Sequence, residues 1–227
     1  MVKLLSQYYN VLIRIITDSN AAALGEMTHG LAEDRKNFIV ITIGTGLGSG
    51  IVVNGELIHG THGLAGEIGH TTAIHYGRHC PCGQEGCLEA YVSALGICRT
   101  AIEVLNDNSH TSALNSVNPK KITVKMISEA TASRDDLALR TLDFTAQILG
   151  RKLADIAAIP NLEAFIITGG VANTGDLLLA PTREYFDNQL MPMYKGKITV
   201  LRSNMSNGQA AILGAVSLVN DMNQNQN

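Results

Sequence analysis

One imidazole and three thiols, His70, Cys80, Cys82 and Cys87, stand with nine, one and four residues between them. A Cys₃His set suits tetrahedral zinc, and with all four positions filled by protein such a site braces structure and does not activate water. The Cys80-Pro81-Cys82-Gly83 turn lets two sulfurs face one centre, and Gly83 and Gly86 relax the backbone towards Cys87. His75 and His79 are rival nitrogen donors that spacing leaves open. Reduced buried cysteines beside an unrelated histidine are the plain alternative. A disulfide between Cys80 and Cys82 would close a very small, strained loop, so reduced thiolates fit better. Cys98 follows on a helix, with packing as its expected role.

Carboxylates flank this loop. Glu67 precedes His70 in Gly66-Glu67-Ile68-Gly69-His70, and Glu89 follows Cys87 by two residues. Held rigidly, such groups can grip vicinal hydroxyls in bidentate fashion, although solvent exposure is the common fate of glutamate. Asp18 lies at a strand-to-helix corner, where it can take a proton from an attacking hydroxyl or simply cap the helix. The run Gly44-Thr45-Gly46-Leu47-Gly48-Ser49-Gly50 offers backbone N–H groups to an anion, with Thr45 and Ser49 as hydroxyl donors, or is an ordinary tight hairpin. It is no Walker A loop, lacking Gly-Lys-Ser/Thr, and no dinucleotide fingerprint, since a strand follows it. Ile167-Thr168-Gly169-Gly170 ends a strand on paired glycines, which suits close approach of a nucleotide as well as a plain βα turn.

The elements that must position these groups alternate between strand and helix. Strands are expected at Ile13–Thr17, Phe38–Ile43, Ile51–Val53 with Glu56–His59 across an Asn54-Gly55 turn, Ala164–Thr168 and Ile198–Leu201. Helices are expected at Ser19–Leu31 (capped by Asp18 or Ser19), Leu88–Asn106, Val124–Thr131, Leu137–Ala158, Asp176–Gln189 and Ser206–Val219. Gly60–Gly86 has no periodicity and reads as a metal-organised loop, and Asn108–Lys121 as a surface connection. The pattern is an α/β class with a mixed sheet flanked by helices, in a single domain over 1–220 with a zinc loop at 60–89, and 221–227 as a disordered tail.

In 227 residues, 45% hydrophobic and 16% charged with net charge −3, a filled core is expected and disorder is not. The scattered lysines and arginines argue against nucleic-acid or membrane-surface partners. No apolar run approaches the roughly 20 residues of a bilayer span, and the first twenty residues make a poor signal peptide, so a cytoplasmic location is expected.

Taken in order, the runs Gly44–Gly50, Gly63–His70, Cys80–Glu89 and Thr168–Gly170 resemble the ROK family (repressor, open reading frame, kinase) over nearly the whole chain. The resemblance implies an actin-like ATPase (ribonuclease H-like) fold and an ATP-dependent, glucokinase-like hexose kinase transferring the γ-phosphate of MgATP to a sugar hydroxymethyl. It implies Asp18 as catalytic base and Asn20, Glu67, His70 and Glu89 as sugar-binding residues. Gly44, Thr45, Gly46 and Gly48 would line the phosphate site and Gly169 with Gly170 the adenosine side. His70, Cys80, Cys82 and Cys87 would hold structural Zn²⁺. It further implies a homodimer or higher homo-oligomer, and as the other reading a sugar-sensing regulatory domain of ROK repressor type. The family places Asn-Asp-Ala-Asn where this chain has Thr17-Asp18-Ser19-Asn20, and begins with a phosphate-loop domain of about one hundred residues, which nothing before Asp18 matches. The chain alone is therefore expected to turn over weakly, and Ser206–Val219 to expose apolar surface.

Overall fold

The structure, a computed structural model, describes residues 2–9, 11, 13–107 and 111–224. Strand β1 (Phe38–Ile43) is a β-branched run buried on both faces, as a central strand must be. It pairs antiparallel with β2 (Leu47–Val53), which continues through Asn54-Gly55 into the short β3 (Glu56–Leu57). On its other side β1 runs parallel to β4 (Ala164–Thr168), itself parallel to β5 (Thr199–Arg202). The sheet order is β3-β2-β1-β4-β5, a mixed sheet as expected.

Alternation along β1 sorts two cores. Ile39, Ile41 and Ile43, with Phe165 and Ile167 of β4, face α3 (Glu89–Val92), α4 (Ala94–Asn106), α5 (Val124–Ala132), α6 (Asp136–Ala157) and α7 (Asp176–Gln189). Phe38, Val40, Ala164 and Ile166 face α2 (Asp18–His29) and α8 (Gln209–Gln224). A four-residue α1 (Val2–Leu5) precedes them. Local caps open the helices: Ser93 accepts from the Gly96 N–H, Thr123 from Met126 and Asp135 from Ala138.

Several boundaries differ from the sequence reading, each for a non-local reason. Ile13–Thr17 forms no strand: among the described residues it finds no ladder partner, and Ile15 is 59% exposed. Thr17, not Asp18 or Ser19, caps α2, its hydroxyl accepting from the Asn20 N–H, so Asp18 becomes the first helical residue. Gly48, Ser49 and Gly50 belong to β2, which shortens the glycine loop to a turn at 44–46. The helix expected over Leu88–Asn106 breaks at Ser93. The closing helix begins later and continues to Gln224, through most of the tail expected to be disordered, while 225–227 and 108–110 lie outside the described residues. Ile212 and Val216 of α8 stand exposed, the apolar surface expected of that helix. No helix among the described residues is long and apolar enough to cross a membrane.

The helix carrying Asp18 is seated by glycines. A Cβ at Gly214 of α8 would overlap the Ala21 carbonyl of α2, and one at Gly25 would overlap the Ala210 carbonyl. Backbone cannot yield as a flexible side chain does, so Gly214→Ala is expected to cost about 2 kcal/mol by overpacking. In a domain of this size that corresponds to a thermal midpoint lower by roughly 4–8 °C, which scanning calorimetry would read.

Candidate functional site

The loop between β3 and α3 folds around its thiols. Its donor atoms, one each from His70, Cys80, Cys82 and Cys87, all lie within 4.8 Å of one another. Sγ of Cys82 and Sγ of Cys87 are 3.6 Å apart, and Cys80 Sγ is 3.6 Å from His70 Nδ1. A tetrahedral zinc with ordinary bond lengths requires about 3.8 Å and about 3.6 Å for these pairs, so the donor set fits the ion. His75 and His79 are outside the cluster, and His79 Nδ1 instead meets Glu85 Oε1 at 3.3 Å. The choice among three histidines is thus settled by folding.

Backbone contacts preset the loop. The Gly83 N–H donates to the Cys80 carbonyl at 3.0 Å, the Cys80 N–H to Gln84, and a bridge joins Thr72 to Cys87. Gly86 has φ +74°, and a Cβ there would overlap the Ile74 carbonyl. Burial pushes the Cys87 thiol up to about 12 and raises Cys80, whereas the Gln84 backbone N–H lowers Cys82, which is exposed.

Beside this cluster opens a cleft of about 440 Å³ lined by Thr17, Asp18, Ser19, Thr42, Gly44–Gly48, Glu67 and Glu89. The β1–β2 turn, the N-terminus of α2 and the start of α3 meet there because Thr42 pairs with Gly48, over which Ser19 packs. Glu89 is held by the β1–β2 turn. Oε2 accepts the Leu47 N–H at 2.8 Å, and Oε1 lies 4.0 Å from Cys80 Sγ. A Cβ at Gly46 would sit 2.6 Å from Glu89 Oε2, so a larger residue there would push this carboxylate from its place. Glu67 Oε2 is 3.8 Å from His70 Nε2, so the imidazole turns one nitrogen to the thiols and the other to the cleft side. Asp18 is exposed, its Oδ1 accepting the Ser19 N–H at 2.8 Å.

The structure therefore brings Asp18, Glu67, Glu89, Gly44, Thr45, Gly46 and Gly48 together, with His70 behind Glu67. Asn20 lines an adjacent hollow with Thr17, His59 and Gly63, and Gly169 and Gly170 lie at the neighbouring strand end, Gly170 in a smaller hollow with Lys125, Ser128 and Asn173. Within the glycine turn, the Gly44 N–H is taken by the Gly46 carbonyl and the Leu47 N–H by Glu89, so neither is free for an anion. Two residues escaped the sequence reading. Thr42 looked like an ordinary strand former, yet its buried Oγ1, like Asn20 Oδ1, has no hydrogen-bond partner in the structure. Arg78 lies within the loop at 60–86 and is buried against Tyr91, its Cζ 4.5 Å from the ring centre.

Comparison with known proteins gives a consistent picture. A sequence model described as the ROK family matches residues 1–222. The chain is 42% identical over 177 residues to a glucokinase of Halalkalibacterium halodurans, covering 77% of this chain and 54% of the relative. The chain thus spans little more than half the length of that relative. Among solved structures, a ROK family glucokinase from Streptomyces griseus in complex with glucose and AMPPNP superposes with TM-score 0.85 at 33% identity, covering 96% of this chain and 71% of that one. A ROK family transcriptional regulator, a homologue of the Escherichia coli MLC protein, superposes with TM-score 0.83 at 28% identity, covering 96% and 55%. The mixed sheet and its flanking helices are those of the actin-like ATPase fold of these structures.

Proposed function

The chain belongs to the ROK family, and from that premise we propose that its Asp18 cleft serves an ATP-dependent, glucokinase-like hexose kinase. One observation carries the reading: a carboxylate at a helix start, two glutamates that flank the metal loop and a glycine turn converge on one cleft beside the thiol cluster. In this assignment Asp18 takes the proton of the sugar hydroxymethyl as its oxygen attacks the γ-phosphate. Glu67, Glu89 and the Nε2 of His70 hold ring hydroxyls, joined by Asn20 from the adjacent hollow. Thr45, Gly46 and Gly48 border the transferred phosphoryl group, and the orphaned Thr42 hydroxyl is a donor suited to it. Gly169 and Gly170 face the adenosine side, and Mg²⁺ arrives with ATP, held mainly by phosphates and water. Zinc on His70 and the three cysteines would fix the imidazole tautomer and ring orientation, a structural and not a chemical contribution. A cytoplasmic location and self-association as a dimer or larger homo-oligomer belong to the same proposal.

A coupled assay of ADP release with glucose and MgATP tests it. Release that requires both substrates is expected. Glucose binding by calorimetry without ADP release would instead favour a sugar-sensing regulator, the reading supported by the likeness to the ROK regulator and by Thr17 lacking the amide of the family's asparagine.

A further inference from the structure

The break at Ser93 creates a need that one buried side chain answers. Where a continuous helix would satisfy the Ala90 carbonyl with the Ala94 N–H, that N–H instead donates to the Gly44 carbonyl of the glycine turn at 2.8 Å. The freed Ala90 carbonyl accepts from Arg78 Nη1 at 2.9 Å, and the same nitrogen reaches the Gly96 carbonyl at 3.1 Å. Nη2 donates to Thr100 Oγ1 at 2.9 Å and to Glu103. The guanidinium lies over Tyr91, whose hydroxyl accepts the Arg78 backbone N–H at 2.7 Å. The Arg78 carbonyl, in turn, accepts the Gly86 N–H at 2.8 Å.

We propose that Arg78 is the positioning residue of this site, setting the metal loop and Glu89 in one frame. Arg78 stands two residues before Cys80, and the Gly86 that it holds immediately precedes Cys87. Its guanidinium grips the residue next to Glu89 while its backbone carbonyl holds the residue before Cys87, so one residue links the metal loop to a cleft carboxylate. The task needs a planar fork with several fixed donors, buried and stacked, which a lysine ammonium cannot reproduce. Only 7% of the Arg78 side chain is exposed, so its hydrogen bonds are little weakened by water.

The glucose arm of the test rests on the kinase reading, whereas the zinc arm does not. The full chain is compared with Arg78→Lys and with Asp135→Ala, the latter removing the cap of α6 to supply a stability loss away from the site. Zinc retention is read by chelator competition, and glucose affinity by calorimetry in excess zinc. Arg78→Lys is expected to weaken zinc retention by about 10-fold or more, the scale of outer-sphere substitutions, and glucose binding by a similar factor. Asp135→Ala should leave both within about threefold at an equal or larger drop in thermal midpoint. Equal losses in the two variants at matched midpoints, or wild-type zinc retention by Arg78→Lys, overturn the positioning role. If the parent chain holds zinc but binds no glucose, the sugar reading fails and the zinc arm still decides this one. A parent chain that holds no zinc overturns the positioning role and leaves the sugar reading to the glucose arm.

Discussion

Asp18→Asn is expected to lower glucose-dependent ADP release by about a thousandfold, within the range that a positioned general base contributes. The variant keeps an oxygen able to accept the Ser19 N–H, and the helix cap belongs to Thr17, so α2 should stay in place. The thermal midpoint is therefore expected to move by no more than a few degrees, the usual consequence of an exposed substitution. That separation matters because a carboxylate in the first turn of a helix has an ordinary role, complementing the helix dipole. If Asp18 does only that, the variant will lose a little stability and none of its turnover. A rate within fivefold of the parent in the coupled assay would remove the base assignment while leaving the cleft intact as a binding site.

Cys87→Ser is expected to abolish stoichiometric zinc and to weaken hexose binding. Cys87 is fully buried, bridges to Thr72 and stands 3.6 Å from Cys82, so its loss removes a donor from the centre of the cluster. Without a metal to displace its proton, burial holds this thiol at about 12, so zinc uptake should release protons and weaken as pH falls. The effect should reach the cleft through two contacts, His70 to Glu67 and Cys80 to Glu89. Metal content is expected to fall from about one zinc per chain to near none, and glucose affinity by at least about 10-fold. Chelation of the parent protein should reproduce both changes. A chelated parent that still binds glucose at its original affinity would show that backbone contacts alone hold Glu67 and Glu89 in place.

Much of this architecture was legible in the residues because it is set by local chemistry. β1, β4 and α7 begin and end where read, since β-branched runs, paired glycines and helical spacing act within a few residues. The three thiols were equally plain: a Cys-Pro-Cys-Gly turn brings two sulfurs together whatever surrounds it. By contrast, the strand read at Ile13–Thr17 needed a partner that the sheet does not supply. The long helix from Leu88 was broken by the Gly44 carbonyl, a group far away in sequence, which captured the Ala94 N–H.

The sequence by itself determined the family, the donor types, the pairing of carboxylates with the thiol loop and the α/β order. These depend on which residues stand close along the chain. Only the tertiary structure decided that His70 and neither His75 nor His79 joins the sulfurs, and that Thr17 caps α2. It also decided that Asn20 opens on a hollow beside the cleft, and that Arg78 is a buried clamp. Each of those outcomes turns on distances between groups brought together by the sheet and by loop closure, and a distance of that kind leaves no periodic or compositional mark.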